Sequence, residues 1–172
     1  MVSKAALRQT ADAGRRLQPP GVDLSASLAP LLATATRVAA YLPLGTEPGV
    51  APRPGWLLPV LLDNGDLDWA LYDGHLTVGR RGLREPAGTR LGVEALAACD
   101  LVLVPALLVA RDGTRLGRGG GSYDRALARS TGLTVALVHD GELVDHLPVE
   151  PHDVPVWAAA TPSLGLVRLT RS

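Results

Sequence analysis

The residues best equipped for chemistry fall in one run, Arg111 to Arg125, reading Arg-Asp-Gly-Thr-Arg-Leu-Gly-Arg-Gly-Gly-Gly-Ser-Tyr-Asp-Arg. Four of the five positions from Gly117 to Gly121 are glycine, which permits positive φ and close backbone approach to a ligand. Arg115 and Arg118 can each offer a planar, charge-assisted fork to phosphate. Tyr123 can add a hydrogen bond. The apolar run Leu101 to Val104 precedes this stretch, and a helix is predicted from its end to Ser130 or Thr131, stopped by Gly132. A strand, a glycine-rich loop and a helix together present backbone N–H groups and a positive dipole end to an anion. The stretch reads as a phosphate-binding loop.

Familiar glycine loops do not account for it. A Walker A loop requires a lysine after its last glycine, and no lysine occurs here. A dinucleotide fingerprint would begin at Gly117-Arg118-Gly119, but Ser122 occupies the third glycine's place. Its strand also ends ten or more residues too early. An RNA-binding Arg-Gly-Gly segment would be repeated and disordered, whereas this copy is single and embedded in a folded pattern. What remains is a specialised polyphosphate loop. Asp124 would be repelled by a phosphate unless a cation intervened, and Mg²⁺ takes few carboxylates plus phosphate oxygens. Capping of the following helix explains an aspartate there equally well. The loop alone leaves both readings open.

Other reactive residues are sparse. Cys99 is the lone cysteine, which rules out an intramolecular disulfide, and its place before an apolar run suggests a buried thiol. Lys4 and Arg8 are four apart in a helical pattern and share a face, which by itself reads as a solvated basic surface. The net charge of the 172 residues is zero, which argues against a general nucleic-acid or membrane-surface role. Phe is absent, so aromatic base-stacking platforms are not expected either. There is no apolar signal segment and no run near the ~20 residues that span a bilayer, making the cytoplasm the expected location. No feature identifies a protein partner.

The elements that must position these residues alternate between helix and apolar strand. A helix is predicted from Val2 to Leu17, with Ala5, Ala6, Leu7 and Ala11 apolar against Lys4, Arg8, Arg15 and Arg16, ended by Pro19-Pro20-Gly21. Asp23 is read as the N-cap of a second helix through Ala35. Strands are predicted at Thr36–Leu42, Trp56–Leu62, Leu67–Tyr72, Leu101–Val104, Leu133–Val138, Val154–Ala160 and Leu164–Leu169. Pro59 suggests that the second is an edge or bulged strand, and Asp63-Asn64-Gly65-Asp66 signals a hairpin. Residues 73–92 read as irregular, 92–98 as a short helix, and 139–150 as connection. No repeat or linker divides residues 1–172, and the alternation places them in the α/β class as a single domain with a mixed sheet.

The run Arg115 to Arg125 closely resembles the signature of 5-formyltetrahydrofolate cyclo-ligases, also called 5,10-methenyltetrahydrofolate synthetases. Other landmarks keep that family's order: Lys4 and Arg8, Tyr41-x-Pro43-x-x-x-Glu47, Glu85-Pro86, Val104-Pro105, and Leu147-Pro148 before His152-Asp153. The resemblance spans nearly the whole length. It implies a mostly parallel, Rossmann-like three-layer sheet flanked by helices. It also implies ATP- and Mg²⁺-dependent closure of 5-formyltetrahydrofolate to 5,10-methenyltetrahydrofolate, through a phosphorylated formyl group, with release of ADP and phosphate.

Carried onto this sequence, the resemblance assigns Lys4, Arg8 and the segment Arg115, Leu116, Gly117, Arg118, Gly119, Gly120, Gly121, Ser122 and Tyr123 to ATP. Arg118 and Tyr123 would act at the reacting groups. Leu42, Glu47, Arg118 and Ser122 would contact the folate, and Asp124 and Asp153 would hold Mg²⁺. His152 is read as structural. Two departures stand out: Ser122 replaces the first of two tyrosines, and Val109-Ala110 stands where the family often has Phe-Asp. Both are expected beside the folate, and they support the alternative of a non-catalytic nucleotide- or folate-binding protein of the same fold.

Overall fold

The computed structural model describes residues 2–170 and begins with α1, Lys4–Arg15, where the Ser3 hydroxyl accepts from Ala6 N at 3.2 Å. This helix is turned relative to its predicted orientation: Ala5 and Ala6 are exposed, while Arg15 is buried. The reason is a partner no helical pattern reveals, the Glu142 carboxylate, which takes Arg15 out of solvent. In α2, Ser25–Leu32, the Asp23 carboxylate bonds Ser25 N at 3.1 Å, but the N-cap position itself falls on Leu24. The helix stops at Leu32, short of Ala35.

Seven strands form the main sheet. In chain order they are β1 (Val38–Ala39), β2 (Leu57–Leu61) and β3 (Leu67–Leu71), then, after the hairpin β4 (Leu76–Val78) and β5 (Arg84–Pro86), β6 (Leu101–Pro105). A short antiparallel pair, β7 (Leu108–Ala110) and β8 (Arg115–Leu116), leads through the glycine loop to α3, Ser122–Leu127. Then come β9 (Leu133–Leu137), β10 (Leu143–Val144, outside the main sheet), β11 (Ala158–Thr161) and β12 (Gly165–Arg168). The order across the sheet is β12-β11-β9-β6-β1-β2-β3, parallel throughout except at the two edges, β12 and β3. This is the mixed, mostly parallel α/β arrangement expected.

Several boundaries differ from their predicted positions for identifiable reasons. Residues 73–92 contain β4 and β5, a hairpin too exposed to carry an alternating apolar pattern. The connection 139–150 contains β10, which pairs with β7 in a separate three-stranded sheet. Pro59 lies on an internal strand, but the ladder between β1 and β2 pairs only Ala39 with Leu57. Beyond Leu57 that side of β2 is therefore a local edge, and the missing N–H costs nothing.

Period-two alternation in the central strands builds a core on each face. On one, Leu101, Leu103, Val135 and Leu137 pack with Leu24 and with Leu28 of α2. On the other, Val102, Val104 and Ala136 meet Leu96, Ala126 and Leu127. Helical or 3₁₀ segments thus cover both sides, as a buried parallel sheet requires. Asp100 ties the starts of β1 and β6 together, accepting from Thr36 N, Thr36 Oγ1 and Arg37 N at 2.8, 2.8 and 2.9 Å. From β1 the chain builds outward to β2 and β3, then returns past β1 to β6, β9 and β11. The C-terminal ends of β1 and β6 flank that reversal, where open α/β sheets bind ligands.

Candidate active site

A cleft of about 500 Å³ opens at those strand ends. Tyr41, Leu42 and Glu47 follow β1, Pro105 and Ala106 follow β6, and the glycine loop forms the facing wall. Every residue that the resemblance assigns to ATP, folate or metal lines it: Lys4, Arg8, Leu42, Glu47, the whole of Arg115 to Asp124, and Asp153. Residues far apart in the chain converge because α1 lies over the small sheet, with Leu7 packed against Ala110, Leu116 and Leu147.

The glycine loop owes its path to two glycines with positive φ, Gly119 at 103° and Gly121 at 71°, the second immediately before α3. Arg8 Nε donates to Gly117 O at 3.0 Å, and a Cβ on Gly119 would sit 3.3 Å from the Arg8 guanidinium carbon. Glycine there lets the arginine lie flat along the loop. Arg115 takes the opposite course. Its side chain is buried in the cleft wall, with Nη2 on Asp124 Oδ1 at 3.1 Å, Nη1 on Pro105 O at 3.3 Å, and its guanidinium 5.9 Å from the Tyr123 ring centre. From the cleft lining it holds Asp124 and Tyr123 in place. The helix after the loop ends at Leu127, shorter than predicted.

The opposite end of the cleft is a cluster of charge. Lys4 Nζ contacts Asp153 Oδ2 at 2.5 Å and Glu150 Oε2 at 2.8 Å. Burial works against the ammonium, but its hydrogen bonds to Asp153 and Glu150 prevail and Lys4 titrates above its ordinary value. Burial likewise opposes the Asp153 carboxylate, and the Lys4 bond and the Glu150 amide hold it below its ordinary value. Val154 N donates to Asp124 Oδ1 at 3.5 Å, which brings the two aspartates to the same corner. Asp124 Oδ2 and Asp153 Oδ1 accept no hydrogen bond among the described residues. Glu150 and His152 form with Asp153 a group whose potential ligand atoms lie within 4.8 Å of one another. In the sequence no second His or acid was seen at metal spacing from His152, and nothing singled out Glu150. Only the Glu150–Asp153 turn, closed by Glu150 N on Asp153 Oδ2 at 2.8 Å, brings them together.

Arg118, half exposed, links the two sides of the cleft: Nε reaches Glu47 Oε1 at 3.2 Å and Nη1 reaches Asp12 Oδ1 at 3.3 Å. Asp12 escaped notice in the sequence, although it follows Arg8 by four residues on the same face of α1. Glu47 is buried, and its other oxygen accepts from Leu44 N at 2.9 Å. Each oxygen keeps acceptor capacity for a ligand. Among the described residues the buried Tyr123 hydroxyl has no hydrogen-bond partner, and burial, with Glu47 nearby, pushes its ionisation well above the ordinary range. It stays a neutral donor. An orphaned donor in a cleft wall marks where a ligand oxygen would be held.

The two departures have separate explanations. Ser122 lines the cleft, but its hydroxyl donates to Gly65 O at 2.6 Å and fastens α3 to the β2–β3 hairpin. Val109 and Ala110 lie fully buried in β7 and do not line the cleft, contrary to the expectation that they flank a folate. Their side chains fill the packing beneath the small sheet. Cys99 is buried as expected, and burial pushes its thiol up to about 11. Among the described residues no helix is long and apolar enough to cross a membrane.

Fold and cleft define an α/β protein with an arginine-flanked glycine loop and a carboxylate pair at the sheet's switch point. The chain belongs to the 5-formyltetrahydrofolate cyclo-ligase family, whose model matches residues 4–162. It is 39% identical to the 5-formyltetrahydrofolate cyclo-ligase of Mycolicibacterium smegmatis, over 97% of each chain. It is 36% identical to the Escherichia coli K12 cyclo-ligase over 62% of each. An NMR structure of 5,10-methenyltetrahydrofolate synthetase from Aquifex aeolicus superimposes with a TM-score of 0.76 at 26% identity, covering 96% of this chain and 92% of that one.

Proposed function

We propose that this cleft closes 5-formyltetrahydrofolate to 5,10-methenyltetrahydrofolate with ATP as co-substrate, and that residues 1–172 act as one domain. The observation carrying the reading is the convergence of Lys4, Arg8, the glycine loop, Arg118 and Glu47 on one cleft in a chain of this family. An amide-like formyl oxygen is a poor leaving group. Its attack on the γ-phosphorus expels ADP and leaves a C–O–P linkage in its place. The second folate nitrogen then attacks the activated carbon and loses its proton, the C–O bond breaks, and phosphate departs.

Such a transfer depends on positioning and on charge placed where charge develops. Lys4, Arg8, Leu116 and the loop from Gly117 to Gly121 hold the triphosphate in this reading, with Arg115 setting the wall behind it. Leu42 and Glu47 take the pterin, whose amino and ring N–H groups suit a carboxylate. Arg118, already bonded to Glu47, stands between pterin and phosphates and can stabilise the oxygen passing from carbon to phosphorus. Tyr123 donates its unpaired O–H to that region, and Ser122 sets the loop's exit beside it. Among the described residues Asp124 and Asp153 each have a carboxylate oxygen free of hydrogen bonds, which fits a hard divalent ion such as Mg²⁺. Bound there, it would neutralise phosphate charge.

A non-catalytic binding role loses its two supports, since Ser122 has a structural bond and Val109-Ala110 lies away from the cleft lining. The direct test mixes the protein with 5-formyltetrahydrofolate and MgATP and follows the methenyl absorbance. The expected result is ATP-dependent growth of that band with stoichiometric phosphate release. No gain at high enzyme concentration overturns the proposal.

A further inference from the structure

We propose that His139 is a positioning residue for the folate side of the cleft, acting through Thr46 on Glu47. The inference rests on the reading of Glu47 given above. His139 is buried just past the end of β9, and Nε2 lies 2.8 Å from Thr46 O. A carbonyl can only accept, so Nε2 carries the proton. The His139 backbone is fixed in turn: the Glu142 amide donates to His139 O at 3.0 Å, and Glu142 Oε2 accepts from His139 N at 2.8 Å. With its backbone fixed and Nε2 on Thr46 O, the buried imidazole is held toward the turn.

Glu142 is itself held. Arg15 Nε bonds its Oε1 at 2.6 Å and Arg15 Nη2 bonds its Oε2 at 2.5 Å. Arg15 Nη2 also donates to Ala106 O at 2.7 Å, in the cleft wall. The circuit closes at Thr46, whose hydroxyl donates to Arg15 O at 2.7 Å. Two bonds from distant elements therefore converge on Thr46, the residue before Glu47. The bonds internal to the turn, Glu47 N to Leu44 O and Leu44 N to Glu47 Oε2, fix its shape but not its place over the sheet. Tyr41 on Pro48 O and the Gly49 backbone bonds with Val22 and Leu24 anchor the side after Glu47, and His139 and Arg15 anchor the side before it, at Thr46.

A buried ion pair is a poor way to gain stability, because desolvation offsets most of the attraction. It does impose a single geometry, and here that geometry is delivered to one ligand-bearing turn. The network lies at the far end of α1 from Lys4, about 16 Å along the helix. Its effect should fall on folate and not on nucleotide, a split that general destabilisation would not produce.

The experiment compares KM for 5-formyltetrahydrofolate and for ATP in four variants, well below each variant's melting temperature. For His139→Ala the expected rise in folate KM is about tenfold, the scale of one lost buried hydrogen bond, with ATP KM within about twofold. His139→Gln restores an N–H toward Thr46 O and should recover most of the loss. Thr46→Val removes the bond to Arg15 O at a half-buried site. It should show the same split on a smaller scale, and it decides the matter if His139→Ala does not fold. Glu47→Gln tests the underlying reading separately and should raise folate KM alone. If Glu47→Gln has that effect while the His139 and Thr46 variants leave folate KM unchanged, or raise both KM values equally, the inference is overturned and the reading of Glu47 stands. If Glu47→Gln leaves folate KM unchanged, both fall.

Discussion

The Lys4 ammonium and the Asp153 carboxylate meet at 2.5 Å across a separation of 149 residues, joining the first residue of α1 to the corner that holds Asp124. Both side chains are largely buried, so the pair shapes the cleft as well as charging it. Lys4→Met should lower stability by about 3 kcal/mol, because it leaves a buried carboxylate without its cation. It should also raise the ATP KM at least about tenfold, since a charged hydrogen bond to phosphate is lost. Urea unfolding and steady-state kinetics check the two effects. Unchanged ATP KM would remove Lys4 from the nucleotide site.

Arg118 reaches Glu47 with one nitrogen and Asp12 with another. If it stabilises charge during phosphoryl transfer, Arg118→Ala should cost about a hundredfold or more in kcat, with a smaller change in either KM. Arg118→Lys keeps the charge but not the fork and should fall between. A change confined to folate KM would reduce Arg118 to a partner of Glu47.

Asp124→Asn keeps an oxygen to accept from Arg115 and Val154 but removes the negative charge. Nucleotide affinity, measured by calorimetry with and without Mg²⁺, should then lose its dependence on the ion. Undiminished dependence on Mg²⁺ would return Asp124 to a purely structural part.

Ser122→Ala breaks the 2.6 Å bond to Gly65 O while keeping the backbone of the loop. The expected loss is about 1 kcal/mol, or some 2–4 °C in melting temperature for a chain of this size. Arg125 also donates to Gly65 O and limits the damage. An unchanged melting temperature would show that the hairpin contact contributes nothing.

Asp100 gives an acid-sensitive link between β1 and β6. The Thr36 amide first, then the Arg37 amide and the Thr36 hydroxyl, hold its carboxyl at about 2. A depressed folded value contributes stability that is complete above the unfolded value of about 4 and is lost as pH falls toward 2. Asp100→Asn should therefore lower stability at neutral pH and flatten its decline between about pH 4 and 2. Parallel wild-type and mutant curves of urea midpoint against pH would contradict this.

Local chemistry was legible in the sequence because it is written in adjacent residues. The glycines and arginines of 115–125, the apolar runs of β6 and β9 and the Asn-Gly hairpin each depend on neighbours a few positions away. Together they identified an α/β chain with an anion loop, and the resemblance identified the family. Which charges meet was not legible, because it depends on how the chain folds back. Arg15 looked like a solvated residue until Glu142, 127 positions on, took it out of water. Arg115 looked like a free fork, but its guanidinium is bonded to Asp124 and Pro105 O. Ser122 had no explanation until the β2–β3 hairpin placed Gly65 O beside it. A helix or strand pattern specifies which face is apolar, but only the packed sheet decides which polar groups are removed from solvent together and must bond one another.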